Sequence, residues 1–444
     1  MTVIGGGLAG VEAAWAAAQR GCRVTLREMR PQRMTPAHRT SDLAELVCSN
    51  SLKSEASTNA AGILKAEMRL LGSIVLRVAE ACRVPAGEAL AVDRDAFSRG
   101  VTQVIESHPA IEVVRREAER LPDDRPVVVA TGPLTSDALA RCLQDLTGEE
   151  ALCFFDAVAP TVTLDSIDLT RVYRASRRQR GAGGEVSDTG DYLNCPLTRD
   201  EFTAFHEALL GAEQAPLHGP DEAAAPFFEM CLPIEELARR GPRTLAYGPM
   251  KPIGLPDPRT GKRPHAVVQL RQENAAGTLW GLVGFQTRLT WPEQRRVFRM
   301  IPGLERAEFV RYGVMHRNTY VRSPCVLYDT CEMKCAPGVF LAGQISGVEG
   351  YVESAALGIL AGVNAARAAS GRSPVTPPAE TILGSLCRYI VDTDPAHFSP
   401  MNANFGIVPE LSHPVRDKRE RARLKGERAI RSMEEWMAHA QVHY

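Results

Sequence analysis

The sequence lacks any uninterrupted run of 18 apolar residues, so no membrane-spanning helix is expected. It also lacks a net charge of consequence, standing at −1 at neutral pH. The whole molecule is therefore no polycation, and contact with nucleic acid would have to use local basic patches. No charged segment leads into an apolar stretch at the N-terminus, and no secretory leader is expected. The 11 cysteines are scattered and odd in number. That pattern excludes an ordered disulfide framework and argues for reduced thiols in a cytoplasm. There is no C-x-x-C. Cys331 and Cys335 form a lone C-x-x-x-C without a second pair or a nearby histidine, so no metal site is expected. No internal repeat is present.

What is present is enough for two or three domains: 444 residues, 44% of them hydrophobic. The chain opens as strand, Gly-rich turn, helix, strand. "TVI" is short and β-branched, "VEAAWAAAQRG" is Ala-rich and stopped by Gly21, and "CRVTLRE" is a second strand closing on Glu28. Apolar spacing predicts helix over 59–82. "RPVVVATG" reads as a buried strand turning at Gly132, and "GVFLAGQ" reads the same way before the helical "YVESAALGILAGVNAARAA". The middle differs. It holds an Arg/Gly-rich segment at 176–191, a Pro-rich loop at 247–264 and β-like runs such as "HAVVQLRQ" and "GTLWGLVGFQT". The expected architecture is α/β, a Rossmann-like FAD-binding domain of the two-dinucleotide-binding flavoprotein type interrupted by a mixed α/β insertion domain. Its first part covers 1–160, the insertion 161–305, and its second part 306–444. The charged C-terminal stretch "RDKRERARLKGERAIRSMEEW" is a helix that is either a solvated face or a basic RNA contact.

Gly5, Gly7 and Gly10 match G-x-G-x-x-G. The first permits a tight turn, the second lets backbone approach a pyrophosphate, and the third lets helix and strand pack closely. The loop Gly5, Gly6, Gly7, Leu8, Ala9, Gly10 opens a helix whose N-terminal N–H groups suit phosphate. Glu28, 18 residues after Gly10, can accept both ribose hydroxyls. Near the other end, "FLAGQISGVEGYVESAALG" supplies Gly343, Gln344, Gly347, Gly350 and Tyr351 for close approach to a flavin, and Gly132 is expected at the same site. A second G-x-G-x-x-G after a strand is missing, so FAD is expected and a dedicated NAD(P) domain is not.

Two thiols stand out. Cys48, in "ELVCSNSLKS", lies among small polar residues with Lys53 nearby, and Cys231 lies in "FFEMCLPIEEL". Each, taken alone, reads equally as a small buried hydrophobe. A neighbouring Lys53 favours a thiolate only where the fold brings the two together. Cys195, in "YLNCPL", is ambiguous.

Long stretches then carry a resemblance: "GGGLAGVEAAW", "EMRPQRMTPAH", "AELVCSNSLKS", "TNAAGILKAEMRLLGS", "CLPIEELARRG", "GPMKPIGL", "AGQISGVEGYVESAALG" and "PMNANFG". From residue 1 to about 411 the chain resembles the folate- and FAD-dependent tRNA (uracil-54) C5-methyltransferase family, with the glucose-inhibited division protein A group as a more distant relative. The resemblance implies 5,10-methylenetetrahydrofolate as one-carbon donor, reduced FAD as electron source and NADH or NADPH as reductant. The implied partner is tRNA at its T loop or another structured RNA, ribosomal RNA included, with no membrane and no protein partner. The family's two cysteines fall on Cys48 and Cys231; the sequence leaves open which one adds to C6, and Cys48 is taken as nucleophile with Cys231 as base, while His316 in "VMHRNTY" would stack on the folate ring. A thiolate adding to uracil C6 would make C5 nucleophilic, and a second group would remove the C5 proton. Two features depart from the family. Met230 precedes Cys231 where many members carry Gly, and the segment from Arg177 to Asp191 is longer and richer in arginine. Arg177, Arg178 and Arg180 are candidate phosphate contacts. A flavoprotein oxidoreductase on a small substrate and an RNA-binding protein with structural FAD are the other readings.

Overall fold

The computed structural model describes residues 1–149, 152–177, 190–216 and 232–442. The β-branched strand Thr2–Ile4 lies inside a six-stranded sheet ordered 332–333, 336–341, 127–129, 2–4, 24–27, 111–114. All neighbours are parallel except the edge strand 332–333. The strands 2–4, 24–27, 127–129 and 336–341 therefore release their C-terminal ends on one edge, where parallel sheets bind ligands.

Two helices hold that edge together. Leu8–Ala18 is buried along its whole length against Tyr351–Ala369. Its alanines meet Gly358 and Gly362 backbone to backbone. A Cβ at Gly358 would stand 2.2 Å from the Ala9 carbonyl oxygen, and one at Gly362 2.4 Å from that of Ala13. This close packing sets the segment from Gly343 to Tyr351 over the Gly-rich loop.

The single helix expected over 59–82 is two, Ala60–Leu70 and Ile74–Ala81. Gly72 takes a left-handed φ of +79° and Ser73 caps the second helix through the Leu76 N–H. Buried carboxylates finish the capping. Glu12 accepts from Ser73 Oγ and from the Ile74 and Val75 N–H groups, and burial pushes its carboxyl up to about 7. Glu67 accepts from Ile382 and Leu383 at the start of helix Ile382–Asp392, and burial pushes it up to about 8.

The middle of the chain builds a second, wholly antiparallel sheet ordered 173–175, 192–197, 266–272, 279–282, 161–163, 309–311. It reaches six residues past the expected boundary at 305, because Phe309–Arg311 pairs with Thr161–Thr163. The chain crosses between the two sheets twice. The two crossings, Leu152–Ala157 and Met315–Tyr320, pair with each other as a separate ribbon. Apolar residues bury in two large clusters, one drawn from both ends of the chain and one from 162–307. We infer two domains from them. Cys195 is fully buried in the second cluster, and burial pushes its thiol far above the ordinary range. Cys331 is buried and Cys335 exposed. Among the described residues no three potential metal ligands cluster, and no helix is long and apolar enough to cross a membrane.

Candidate active site

The ligand-binding edge of the first sheet opens into a cleft of about 1010 Å³. Of the residues expected to hold a flavin, Gly5, Gly6, Gly7, Leu8, Ala9, Glu28, Gly132, Gly343, Gln344 and Tyr351 line it. Gly10 and Gly350 lie behind the lining. Gly10 is the close-packing glycine, since a Cβ there would sit 1.7 Å from the Gly5 carbonyl oxygen. A Cβ at Gly350 would meet Glu353 and Lys53. Gly7 differs from both. It has an ordinary extended backbone, φ −75° and ψ −172°, and a Cβ there would touch no protein atom within 4 Å. Nothing in the protein itself requires glycine at position 7. A pyrophosphate lying against the backbone does, and no side chain caps the helix N-terminus that follows.

Glu28 is buried. Its Oε2 accepts from the Gly6 N–H at 2.8 Å, and its Oε1 from Arg30 N–H and Nε at 3.0 and 2.9 Å. Burial alone would raise its pKa, but hydrogen bonding and charge from Arg30 outweigh this and leave it below the usual carboxylate range. Arg30 also reaches Glu45 at 3.2 Å. The carboxylate thus stays ionised with acceptor capacity left for ribose hydroxyls. This glycine cradle, free helix end and ionised carboxylate fit the dinucleotide portion of FAD.

Cys48 stands half-buried at the rim of the same cleft, which its neighbour Val47 lines. Its N–H donates to the Tyr351 hydroxyl at 2.6 Å, and that of Ser49 donates to the same oxygen at 3.3 Å. Arg94 donates to the carbonyls of Leu46 and Cys48 at 2.9 and 3.4 Å, and Arg311 to that of Val47 at 3.2 Å. Burial works against the Arg94 cation. Glu273, at 2.6 Å from the second sheet, leads the groups that more than offset it, with Tyr351 and Cys48 adding to it, and the net shift is upward. Burial, followed by the nearby Cys48, holds the Tyr351 phenol well above its ordinary pKa and so protonated. The thiol-bearing loop is therefore clamped through its main chain by two arginines and a tyrosine that also faces the cleft.

Lys53, which would favour a Cys48 thiolate only where the fold brought the two together, is engaged by a carboxylate. Its ammonium pairs with the buried Glu353 at 2.6 Å. Arg177 is also committed within the chain: its guanidinium donates to Gln269 at 2.8 Å and to the Ile253 carbonyl at 3.2 Å. Cys231, Met230, Arg178 and Arg180 lie outside the described residues. His316 sits in the inter-sheet ribbon, opposite Asp156 in the backbone register; its side chain lies outside what is described. Sequence reasoning missed Arg30, Arg94 and Glu273. Only Arg30 left a local signal, two residues after the expected ribose carboxylate.

One consequence is testable at Tyr351. Replacing it with Phe keeps the ring against the cleft but leaves the Cys48 N–H without its acceptor, at a cost of ~1–3 kcal/mol. Turnover should drop by ~10-fold to 100-fold, with bound flavin and the KM for substrate unchanged. Steady-state kinetics beside a flavin spectrum check this.

Comparison with known proteins agrees with the geometry. The family described as Glucose inhibited division protein A matches residues 1–373. A Symbiobacterium thermophilum protein named methylenetetrahydrofolate–tRNA-(uracil-5-)-methyltransferase TrmFO is 58% identical over 437 residues, covering 98% of this chain and 96% of that protein. A Geobacter sulfurreducens protein of the same name is 56% identical, covering 99% of each chain. The solved Aquifex aeolicus GidA, form II crystal, superposes with a TM-score of 0.70 at 19% identity, over 100% of this chain and 73% of that one. At that identity the likeness concerns the fold alone.

Proposed function

The chain belongs to the methylenetetrahydrofolate–tRNA-(uracil-5-)-methyltransferase family, and from that premise we propose that Cys48 and Cys231 carry its chemistry on the uracil ring. The enzyme transfers the methylene of 5,10-methylenetetrahydrofolate to C5 of a uridine in tRNA and yields 5-methyluridine. Bound reduced FAD supplies the two electrons that turn the transferred methylene into methyl. The target is uridine 54 of the T loop, and the reductant that restores the flavin is NADH or NADPH. The enzyme works in the cytoplasm, where its RNA and folate are found.

Cys48 bonds through sulfur to uracil C6, and the C5–C6 π electrons move into the ring as an enolate. C5 then forms its bond to the one-carbon unit while that unit is still held by the folate nitrogen. Cys231 takes the C5 proton, and the electron pair released expels the folate amine and leaves an exocyclic methylene at C5. Hydride, which a bound reduced flavin would supply, would convert that methylene to methyl as the C6–S bond breaks and the Cys48 thiolate is restored. The clamp on residues 46–49 fixes the main chain that carries the sulfur. Tyr351 joins that clamp to the cleft, and His316 stacks on the folate ring. Across the reaction one uridine, one methylenetetrahydrofolate and one reduced flavin become 5-methyluridine, tetrahydrofolate and oxidised flavin.

The observation that carries this reading is the hydrogen bond from the Cys48 N–H to the cleft-lining Tyr351. The main chain of a candidate nucleophile is tied there to a residue that lines the cleft. The test is incubation of the holoenzyme with a tRNA transcript, NAD(P)H and methylene-labelled folate. Label should appear as 5-methyluridine at one position. Label that never enters RNA, while the flavin still turns over NAD(P)H, would favour a small-molecule oxidoreductase instead.

A further inference from the structure

A second large groove, of about 1770 Å³, lies along the start of the C-terminal helix Lys418–His439. Its opposite wall is made by Ala56–Thr58 and by Phe405 and Gly406. Four cations line it, Lys418, Arg419, Arg421 and Lys425, against two carboxylates, Glu88 and Glu410. Lys425 is buried and spent on the groove's own framework. Its ammonium donates to the carbonyls of Phe405 and Val408 and to Glu410 at 3.0–3.2 Å, which also neutralises that carboxylate. Arg421 donates to the Val415 carbonyl. Lys418 and Arg419 are different: both are exposed, and the ion pairs of this stretch involve Arg423 and Lys425 instead.

Both walls run back to the thiol loop. One follows Cys48 through strand Ser51–Ser54, whose carbonyls at 52, 53 and 54 are pinned by the Lys65 ammonium at 2.7–3.0 Å. The other starts at Ala403, whose N–H donates to Glu353 at 2.8 Å, and Glu353 in turn pairs with Lys53 of the first wall. The groove and the site are thus joined at Lys53–Glu353, two residues from Tyr351. Eight residues of chain separate Cys48 from Ala56, a reach of at most ~28 Å. That upper limit is about eight base-pair steps of duplex at ~3.4 Å each. A base turned out of a folded RNA into the cleft leaves its own stem outside, where cations on a neighbouring rigid element can meet its phosphates.

We propose that this groove holds the phosphate backbone of the RNA substrate, with Lys418 and Arg419 as its contacts; the proposal rests on the tRNA methyltransferase reading above. The test uses the holoenzyme carrying Lys418→Glu with Arg419→Glu, neither of which belongs to the flavin or thiol machinery. A milder Lys418→Gln with Arg419→Gln pair guards against misfolding, and the flavin spectrum and melting temperature report on the fold. The Kd for a tRNA transcript should rise ~10-fold or more with charge reversal, and the slope of log Kd against log salt should fall by ~2. The KM for methylenetetrahydrofolate and reduction of the flavin by NAD(P)H should not move. RNA affinity and salt slope within ~2-fold of the parent, while the parent methylates tRNA, would overturn the groove and leave the activity standing. A parent enzyme that neither binds nor methylates tRNA would overturn the substrate reading, and the groove with it.

Discussion

Cys48→Ala enzyme makes no detectable 5-methyluridine, its turnover falling by at least ~10³-fold, the scale on which loss of a covalent nucleophile acts. The loss is chemical. The loop is held through the Cys48 N–H, by Tyr351, and through the carbonyls of residues 46–48, by Arg94 and Arg311. Alanine keeps all of these main-chain groups, so flavin content and melting temperature stay at the parent values. Cys231→Ala is inactive to a similar degree for a different reason, since the C5 proton then has no acceptor. RNA carrying 5-fluorouracil at the target separates the two roles, because fluorine cannot leave as a proton does. A covalent protein–RNA adduct should survive in Cys231→Ala and vanish in Cys48→Ala, as read on a denaturing gel. The opposite pattern exchanges the two roles, and normal turnover by Cys48→Ala refutes the thiol chemistry.

Gly7→Val yields a folded protein that does not retain FAD. The backbone at position 7 suits any residue, and the space around it holds no protein atom within 4 Å, so the apo fold should lose less than ~1 kcal/mol. The added side chain occupies the approach to the helix N-terminus where a pyrophosphate would lie. Loss of about 3 kcal/mol of binding would raise the Kd for FAD ~100-fold, measured by flavin titration of the apoprotein. Gly10 provides the contrast. A methyl there collides with the Gly5 carbonyl at 1.7 Å, so Gly10→Ala should damage the fold itself. Full flavin retention by Gly7→Val would mean that the cradle binds something else.

The parts of the site legible in the sequence are those made by neighbours in the chain. Strand, glycine turn, helix and Glu28 follow one another within 28 residues, and each obeys a local rule of backbone freedom or spacing. The break at Gly72–Ser73 was legible too, as a left-handed residue followed by a capping serine, but apolar spacing on both sides masked it. Arg177 shows the limit of charge counting: its cation reads as free for phosphate until Gln269 and the 253 carbonyl claim it.

By itself the sequence determined the dinucleotide fold, the Gly-rich turn and the family, and it put forward the two thiols as candidates. Glycine conformation, helix ends and long motifs are properties of contiguous residues, so they survive in a string of letters. Tertiary structure alone decided what holds the reactive loop. Tyr351 meets Cys48 across 303 positions, and Arg94 meets Glu273 across 179. It also gave Lys53 to Glu353 and brought the C-terminal helix alongside the segment that follows Cys48. Such pairings arise when separate elements pack together to bury apolar surface, and burial brings together residues that no local spacing connects.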